Sequence, residues 1–356
     1  MSGSTRREVA ARWVPRSPLL GDASIAVLVP AAAAMFGLVL EDILPVRGLD
    51  GVASPTRLVV LGVLVAVLVG AVAYRRWVYR TTGTLYSVSF LDERMGDYHE
   101  NALADARRRH MALQVLGRRI DLAGRECSGV ADVITPRQEL SRMVEDAFNQ
   151  DRDDTGYVVA PNLLWPAALA VGPSLTRARD ARFIEFDKSG EVDQIFMLHE
   201  RADNPVAAPT RQTTALDEPT GDRRGVVLAF TEAFAKFTPE RQFARLGVQE
   251  FTVLRPLDGK PGQRWSGPAL CRLADDLAGH LATLKSECEH GNRELVVVAF
   301  LPKTVALLIG WHLGRARQRF FANTHLMHYV LGEDRFVALR VHPSQPTHFP
   351  SPVSGS

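Results

Sequence analysis

The hydrophobic pattern of the chain begins with two long apolar runs. Residues 23–40 contain no charged side chain, and residues 58–73 form a second uncharged run that continues into aromatic and basic residues. Eighteen helical residues at about 1.5 Å each span ~27 Å, which approaches the ~30 Å hydrocarbon core of a bilayer. The pattern predicts a transmembrane hairpin with spans at about 23–41 and 58–78 and a loop at 42–57.

The basic residues give this hairpin a direction. Seven arginines flank the two runs, whereas the connecting loop carries two arginines and three acidic residues. Because basic residues favour the cytoplasmic side, both termini are predicted to be cytoplasmic, at the inner membrane, with the loop outside. A cleaved secretory signal peptide is the alternative for the first run, but a second apolar run follows directly. On the second span, Gly62, Ala66 and Gly70 recur every four residues and predict a small-residue face for helix packing.

The rest of the chain contains a repeat. At an offset of 138 residues, segment 158–183 aligns without gaps to segment 296–321, and eleven of the 26 positions are identical. Self-similarity of this kind predicts two copies of one supersecondary unit. Apolar positions of any buried helix look alike, so chance is the alternative, and the order of the surrounding elements favours duplication.

Short β-branched runs alternate with helical segments around both copies, which favours an α/β fold with parallel strands and helical crossovers. In the first copy the pattern predicts strands at 84–90, 119–122, 157–160, 182–186 and 194–198, and helices at 100–116 and from Pro136, with Thr135 and Gln138 forming a capping box. In the second copy it predicts strands at 225–230, 251–254, 294–300, 320–324 and 335–341, and helices after Pro239 and at 268–289.

These elements set the predicted domain boundaries. The apolar hairpin occupies 1–80, and the two α/β units occupy 81–200 and 225–342. Between the units, residues 201–224 are rich in Pro, Thr and Asp and are interpreted as a linker, and residues 343–356 as a flexible tail.

Candidate ligand-binding residues follow the predicted strands. In open α/β sheets, ligands bind beyond the carboxyl ends of the strands, where helix N-termini present N–H groups to anions. Each copy is therefore predicted to have one ligand-binding opening at the carboxyl ends of its strands, which we call its mouth. The first offers Asn162, Trp165, Asp92 and Arg94, and the second offers Thr231, Glu232, Lys303 and Thr304.

The residue types suggest roles within these mouths. Lys303 and Thr304 at a helix start are candidates for contacting a phosphate, whereas Asn162 and Trp165 are candidates for binding and stacking a base. Two alternatives to ligand binding stay open: Thr304 only caps the helix, and Trp165 only packs in the core.

Composition and missing motifs narrow the chemistry. The 42 basic and 40 acidic residues give a net charge of +2, so no nucleic-acid polymer is expected as a partner. Three widely spaced cysteines argue against a disulfide framework. The sequence contains no GxGxxG, GxxxxGK[ST], HExxH or GxSxG pattern, so no cofactor, metal or catalytic residue is predicted. His325 and His328 are interpreted as a loop pair rather than as metal ligands.

Three segments, YVVAPNLLWPAALAVG, LVVVAFLPKTVALLIGWHLGR and VLGEDRFVALRV, resemble the SAVED domain. The resemblance covers about residues 82–342 and implies two fused CARF-like halves, that is, two tandem Rossmann-like three-layer units. It also implies a pocket for a cyclic oligonucleotide, commonly a trinucleotide, made by a nucleotidyltransferase in bacterial CBASS anti-phage defence. The N-terminal hairpin is similar in arrangement to that of two-transmembrane SAVED effectors.

Taken together, these features predict a membrane-anchored sensor rather than an enzyme. Ligand binding is expected to assemble the sensor domains into an oligomer, to cluster the hairpins and to disrupt the inner membrane in abortive infection. Two alternatives stay open. One is a membrane-anchored enzyme that degrades a cyclic nucleotide, with Glu232, Asp92 and His199 as candidate groups; the other is a non-catalytic membrane adaptor that binds a protein partner.

Overall fold

The fold is taken from a computed structural model. It describes residues 55–109, 111–151, 156–176, 181–186, 192–198, 208–216, 221–257, 265–315, 319–330, 333 and 335–349, and residues 26–37 except 28, 32 and 35. Contacts group the chain into two units, which are described separately. The smaller contains helix α1, Pro55–Thr82, and the backbone around Gly83 and Gly156.

Helix α1 covers the second predicted span. Proline stands at its first position, where a missing N–H costs nothing, and valines along it are exposed, Val63 by 58% and Val69 by 63%. Among the described residues, no atom outside the helix's own backbone lies within 4 Å of a Cβ placed on Gly62 or Gly70, so the predicted small-residue face, which includes Ala66, has no partner at these two glycines.

The transmembrane hairpin gains no support from the described residues. Among them, no helix combines the length and the apolar character needed to cross a bilayer. Most of the first predicted span, 23–41, and of the loop, 42–57, lies outside the described residues. The hairpin therefore stays a prediction from the sequence.

The larger unit contains two sheets among its described residues. The strands of the first are β1 (Thr84–Asp92), β2 (Ala112–Ile120), β5 (Tyr157–Leu163), β6 (Ala181–Phe186) and β7 (Val192–Met197). Their order is β2-β1-β5-β6-β7, with β5 and β6 parallel and β7 antiparallel to β6. Strand β5 is buried along its whole length, as expected for a strand that is covered on both faces.

The second sheet has eight strands among the described residues. They are β3 (Glu126–Cys127), β4 (Val130–Asp132), β8 (Thr210–Ala215), β9 (Arg223–Ala229), β10 (Val248–Arg255), β11 (Leu295–Phe300), β12 (Thr324–Val330) and β13 (Arg335–Arg340). The order is β3-β4-β13-β12-β11-β9-β10-β8, with parallel pairing from β10 through β9 and β11 to β12. This parallel centre confirms the α/β prediction.

Helices cover these sheets and supply the apolar core. They are α2 (His99–Arg108), α3 (Leu122–Arg125), α4 (Ile134–Gln150), α5 (Trp165–Val171), α6 (Pro239–Arg245), α7 (Gly267–His290) and α8 (Lys303–Arg315). Two of them, α5 and α8, are the helices of the sequence repeat. Both are buried almost throughout.

The two repeat helices cross with their backbones in contact. A Cβ added to Gly310 would lie 2.2 Å from the carbonyl oxygen of Leu169, and one added to Gly172 would lie 2.4 Å from that of Leu307. In the repeat, Leu169 corresponds to Leu307 and Gly172 to Gly310. The crossing is therefore reciprocal, and each glycine is required by the backbone of the other copy.

Several predicted boundaries are wrong in the first copy. The helix predicted at 100–116 is too long. Helix α2 ends at Arg108, and the chain from Ala112 forms strand β2, because its backbone pairs with β1. The predicted capping box at Thr135 is also wrong. The helix cap is Val133, and the carboxylate of Asp132 accepts a hydrogen bond from the N–H of Ile134 at 3.0 Å.

Segments interpreted as irregular carry structure as well. Strand β8 lies within the predicted linker 201–224 and pairs antiparallel with β10. Strands β3 and β4 precede β5 in the chain but join the second sheet, so the predicted unit 81–200 contributes to both sheets.

The first part of the predicted tail 343–356 is packed against the second sheet. Gln345 is only 5% exposed; its amide donates to the carbonyls of Thr324 and Leu339 at 3.2 Å, and accepts from the N–H of Val341 at 2.7 Å. Phe349 is buried under the Arg223 guanidinium, 4.7 Å from its ring centroid. The composition of this segment does not reveal such specific contacts, so the sequence predicted a flexible tail.

Candidate functional site

One residue from each predicted mouth takes part in a shared cluster. Asn162 lies at the carboxyl end of β5 and Lys303 at the start of α8, just after β11. The Lys303 ammonium donates a hydrogen bond to the Asn162 side-chain oxygen, although 141 residues separate them. Asn162 and Lys303, which were predicted for separate copies, therefore lie in one cluster.

The loop after β1 completes this cluster. Asp97 accepts a hydrogen bond from the Asn162 amide at 3.1 Å, and the Lys303 ammonium lies 4.0 Å from the centroid of the Tyr98 ring. Arg119 pairs with Asp97 at 3.5 Å and donates to two backbone carbonyls of the same loop. The loop is thereby held over the strand ends. We call Asp97, Tyr98, Asn162, Glu185 and Lys303 the Lys303 cluster.

Glu185, on β6, binds the first turn of α8. Its carboxylate accepts from the backbone N–H of Lys303 at 3.1 Å and from that of Thr304 at 2.9 Å, and it also accepts from the Thr304 hydroxyl. Thr304 is fully buried. A carboxylate at this position satisfies N–H groups that have no partner within the helix and interacts favourably with the helix dipole.

Burial changes the protonation of these groups. Burial lowers the pKa of Lys303 to about 8, against the charges of Glu185 and Asp97, which raise it. Burial also raises the pKa of Glu185, and the hydrogen bonds from Thr304 and Lys303 oppose this shift. Three donors and no acceptor point at Glu185, so its contacts fit the ionised carboxylate.

Trp165 begins α5 and is 8% exposed. Among the described residues, its indole N–H and that of Trp265 are buried without a hydrogen-bond partner. Trp265 packs against Phe230 at the end of β9, with 6.2 Å between ring centroids. Trp165 is thus part of the core, and it carries an unsatisfied polar group of the kind that costs ~1–3 kcal/mol.

Asp92 and Arg94 lie at and beyond the end of β1. Asp92 accepts a hydrogen bond from the N–H of Leu122 at 3.3 Å. Arg94 is exposed and forms an ion pair with Glu333 at 3.4 Å. Burial lowers the pKa of His328 to about 4, and the charge of Asp92 acts in the opposite direction.

Thr231 and Glu232 lie at the end of β9. The N–H of Thr231 donates to the carbonyl of Phe300 at 3.0 Å, which places it beside the end of β11. Glu232 is exposed at the start of a short 3-10 helix, Glu232–Lys236. Neither residue belongs to the Lys303 cluster. His199, the remaining candidate for an enzyme, lies outside the described residues.

The histidine pair has a different structure from the one predicted. His325 and His328 both lie on β12, not in a loop, and three residues of separation places them on opposite faces of the sheet. His325 contacts Glu294 at 3.2 Å. The strand was missed because two histidines interrupt the apolar residues of its sequence, THLMHYV.

Sequence reasoning missed Glu185, Asp97 and Tyr98. Asp97 and Tyr98 follow a predicted strand end by several residues, so strand position alone was a usable signal for them. Glu185 had no such signal, because it lies inside a strand of the first copy and bonds to a helix 118 residues later.

Comparison with known proteins adds little to this geometry. No protein-family model matches the chain, and no curated protein matches it. Among solved structures, it is similar to the SAVED/CARF-domain containing receptor Cap4 of Acinetobacter baumannii with the cyclic trinucleotide 2′3′3′-cAAA, with a TM-score of 0.42 and 10% identity, over 78% of this chain and 55% of that chain.

Other solved structures give similar values. The same receptor with 3′3′3′-cAAA has a TM-score of 0.41 and 10% identity, over 78% of this chain and 55% of that one. Cap4 of Moraxella osloensis has a TM-score of 0.41 and 10% identity, over 78% of this chain and 53% of that one. The chain spans about half the length of the structures it matches. These likenesses are partial, and the assignments below rest on the chain's own residues.

Proposed function

We propose that the chain is a sensor that binds a cyclic oligonucleotide, a cyclic trinucleotide foremost, at the Lys303 cluster. The observation that carries the proposal is the bond between Asn162 and Lys303, which brings the strand ends of the two repeat copies together. A ring of several nucleotides presents base edges and phosphates at regular intervals. A site assembled from two copies of one unit suits such a ligand.

The chemistry of the cluster fits recognition better than catalysis. Asn162 and Lys303 offer hydrogen bonds, and each is held by further contacts to Asp97 and Tyr98. Side chains that are fixed before the ligand arrives lose little entropy on binding. The sequence resemblance to the SAVED domain supports the same ligand class.

The proposed output is at the inner membrane. Support comes from the sequence: the uncharged runs at 23–40 and 58–73 and the arginines that flank them. Ligand-bound sensors associate, and their tethered hairpins then reach an effective concentration of ~mM, enough for weak helix contacts to disturb the bilayer. The ligand is supplied by a nucleotidyltransferase.

Calorimetric titration of the full chain with a panel of cyclic di- and trinucleotides tests the sensing step. We expect saturable binding of one member, with the ligand recovered intact by chromatography. Lys303→Ala should weaken this binding at least about tenfold, the effect of losing one charged hydrogen bond. Lys236→Ala, at an exposed lysine, is the matched control and should leave the affinity within about twofold.

Equal affinities of wild type and Lys303→Ala would remove the Lys303 cluster from the binding site, and absence of heat with every ligand would reject the sensor. Loaded liposomes test the output separately. Leakage should need both the ligand and residues 1–80. Leakage that persists after deletion of these residues would contradict the membrane step but not the sensing step.

A further inference from the structure

The start of α8 is occupied by a side chain of the protein itself. A helix start binds anions through its first N–H groups, and here the N–H groups of Lys303 and Thr304 and the Thr304 hydroxyl all donate to Glu185. A phosphate at this position would meet the same donors. It would have to displace Glu185 and leave that carboxylate without its partners.

The other repeat copy has no such carboxylate. At the offset of 138, Lys303 and Thr304 correspond to Trp165 and Pro166. The position on β12 equivalent to Glu185 on β6 is His328, because Thr324 pairs with Leu295 as Ala181 pairs with Tyr157. Pro166 has no N–H, so the start of α5 lacks one of the donors that Glu185 binds on α8. Glu185 of the first copy therefore binds the helix start of the second copy, and the second copy has no carboxylate at the equivalent position.

The cations around the cluster are also paired. Lys303 bonds to Asn162 and lies over Tyr98; Arg119 pairs with Asp97 and Arg94 with Glu333. An incoming phosphate would therefore compete with existing acceptors at each of these three cations. The Lys303 ammonium has three hydrogens, and its hydrogen bond to Asn162 uses one of them, which leaves donors for an acceptor of the ligand such as a base nitrogen or oxygen.

We infer that Glu185 is a specificity-determining residue that excludes phosphate from the start of α8, so that the ligand's phosphates lie elsewhere and an uncharged part of it reaches Lys303. The inference deepens the proposed function and rests on it for the class of ligand. The exclusion itself is a property of the chain that can be measured without any nucleotide.

Pyrophosphate titration of the full chain, by calorimetry at two salt concentrations, tests this exclusion. Wild type should show no saturable binding at pyrophosphate concentrations up to about 10 mM, which places its Kd above this value. Glu185→Gln keeps the side-chain shape and removes its charge, and it should gain at least about tenfold in affinity, with the gain reduced by salt. The control is Glu139→Gln, on α4, which removes the same charge from an exposed ion pair with Arg118 on β2.

A gain confined to Glu185→Gln supports the inference, since a merely structural role would not create anion affinity. Equal gains in both variants would show an effect of net charge alone and would overturn it, as would tight pyrophosphate binding by wild type. If circular dichroism shows Glu185→Gln unfolded, Glu185→Asp is titrated instead. Its carboxylate is withdrawn by one methylene, and an affinity no higher than that of wild type would overturn the inference. Failure of every cyclic oligonucleotide to bind would reject the proposed function without affecting this result.

Discussion

The two copies of the repeat share a helix crossing but differ at their helix starts. Helix α5 begins with Trp165 and Pro166, which are buried and apolar apart from one indole N–H, whereas α8 begins with Lys303 and Thr304, which bond to Asn162 and Glu185. At the crossing, identical residues face each other reciprocally. The duplicated segments thus keep the residues that the helix crossing requires and differ in the residues that begin their helices.

The largest effect is expected at the crossing. Gly310→Ala places a Cβ 2.2 Å from the Leu169 carbonyl oxygen, and Gly172→Ala places one 2.4 Å from that of Leu307. Because backbone lies on the other side, neither clash is relieved by a rotamer change, and each variant should lose about 3 kcal/mol of unfolding free energy. Denaturant unfolding followed by circular dichroism measures this loss.

Gly279→Ala is the control for these variants. Gly279 lies within α7, and in the described part of the chain no atom beyond the helix's own backbone lies within 4 Å of a Cβ placed there, so alanine should stabilise by up to about 1 kcal/mol. If Gly310→Ala is as stable as wild type while Gly279→Ala behaves as expected, the two helices do not cross as described. Unequal losses at Gly310 and Gly172 would instead show that the crossing is not reciprocal.

An intermediate effect, one that depends on pH, is expected at the start of α8. The pKa of Lys303 is about 8 in the folded chain, below the ordinary 10.5, so between these values the unfolded chain binds more protons than the folded chain. Stability therefore rises with pH in this window, by on the order of 1 kcal/mol per pH unit, and the gain is absent below about pH 8.

Lys303→Met should remove this contribution. We expect the difference in unfolding free energy between wild type and variant to change between pH 7.5 and pH 10, measured by urea unfolding at each pH. Other titrating groups are shared by both proteins and cancel in the difference. A difference that stays constant over this range would mean that Lys303 is not buried in the way described.

The smallest effect is expected at the start of α5. Trp165→Phe deletes an indole N–H that has no partner among the described residues, and the relief from that buried donor offsets the smaller packed volume. The unfolding free energy should stay within about 1 kcal/mol of wild type. Leu169→Ala, at a buried leucine of the same helix, should cost ~2–5 kcal/mol and shows that the assay detects core damage. A loss of more than about 3 kcal/mol in Trp165→Phe would indicate that the indole is hydrogen-bonded.

The sequence predicted most of the second copy well. The helix predicted at 268–289 is Gly267–His290, and the strand predicted at 294–300 is Leu295–Phe300. Long periodic helices and short buried strands carry strong local signals. The prediction failed at β2, β8 and β12, whose polar residues are tolerated because they pair at sheet edges or bond within the fold.

Candidate site residues were predicted in part. Position after a strand identified Asn162 and Lys303, which do come together, and also Thr231 and Glu232, which do not join their cluster. Strand ends define an edge of a sheet, but they do not say which residues on that edge reach one another. That depends on how the sheets and their loops pack.

The sequence by itself determined the α/β alternation, the repeat and the residue types at the strand ends, because these follow from local periodicity and from identity between aligned segments. Only the tertiary structure decided that strands from the first copy would join the second sheet and that Glu185 would occupy the start of α8. Both are pairings across more than a hundred residues. Hydrogen bonds between residues so far apart in the chain depend on which segments pack together in the fold. Local sequence patterns do not predict this packing.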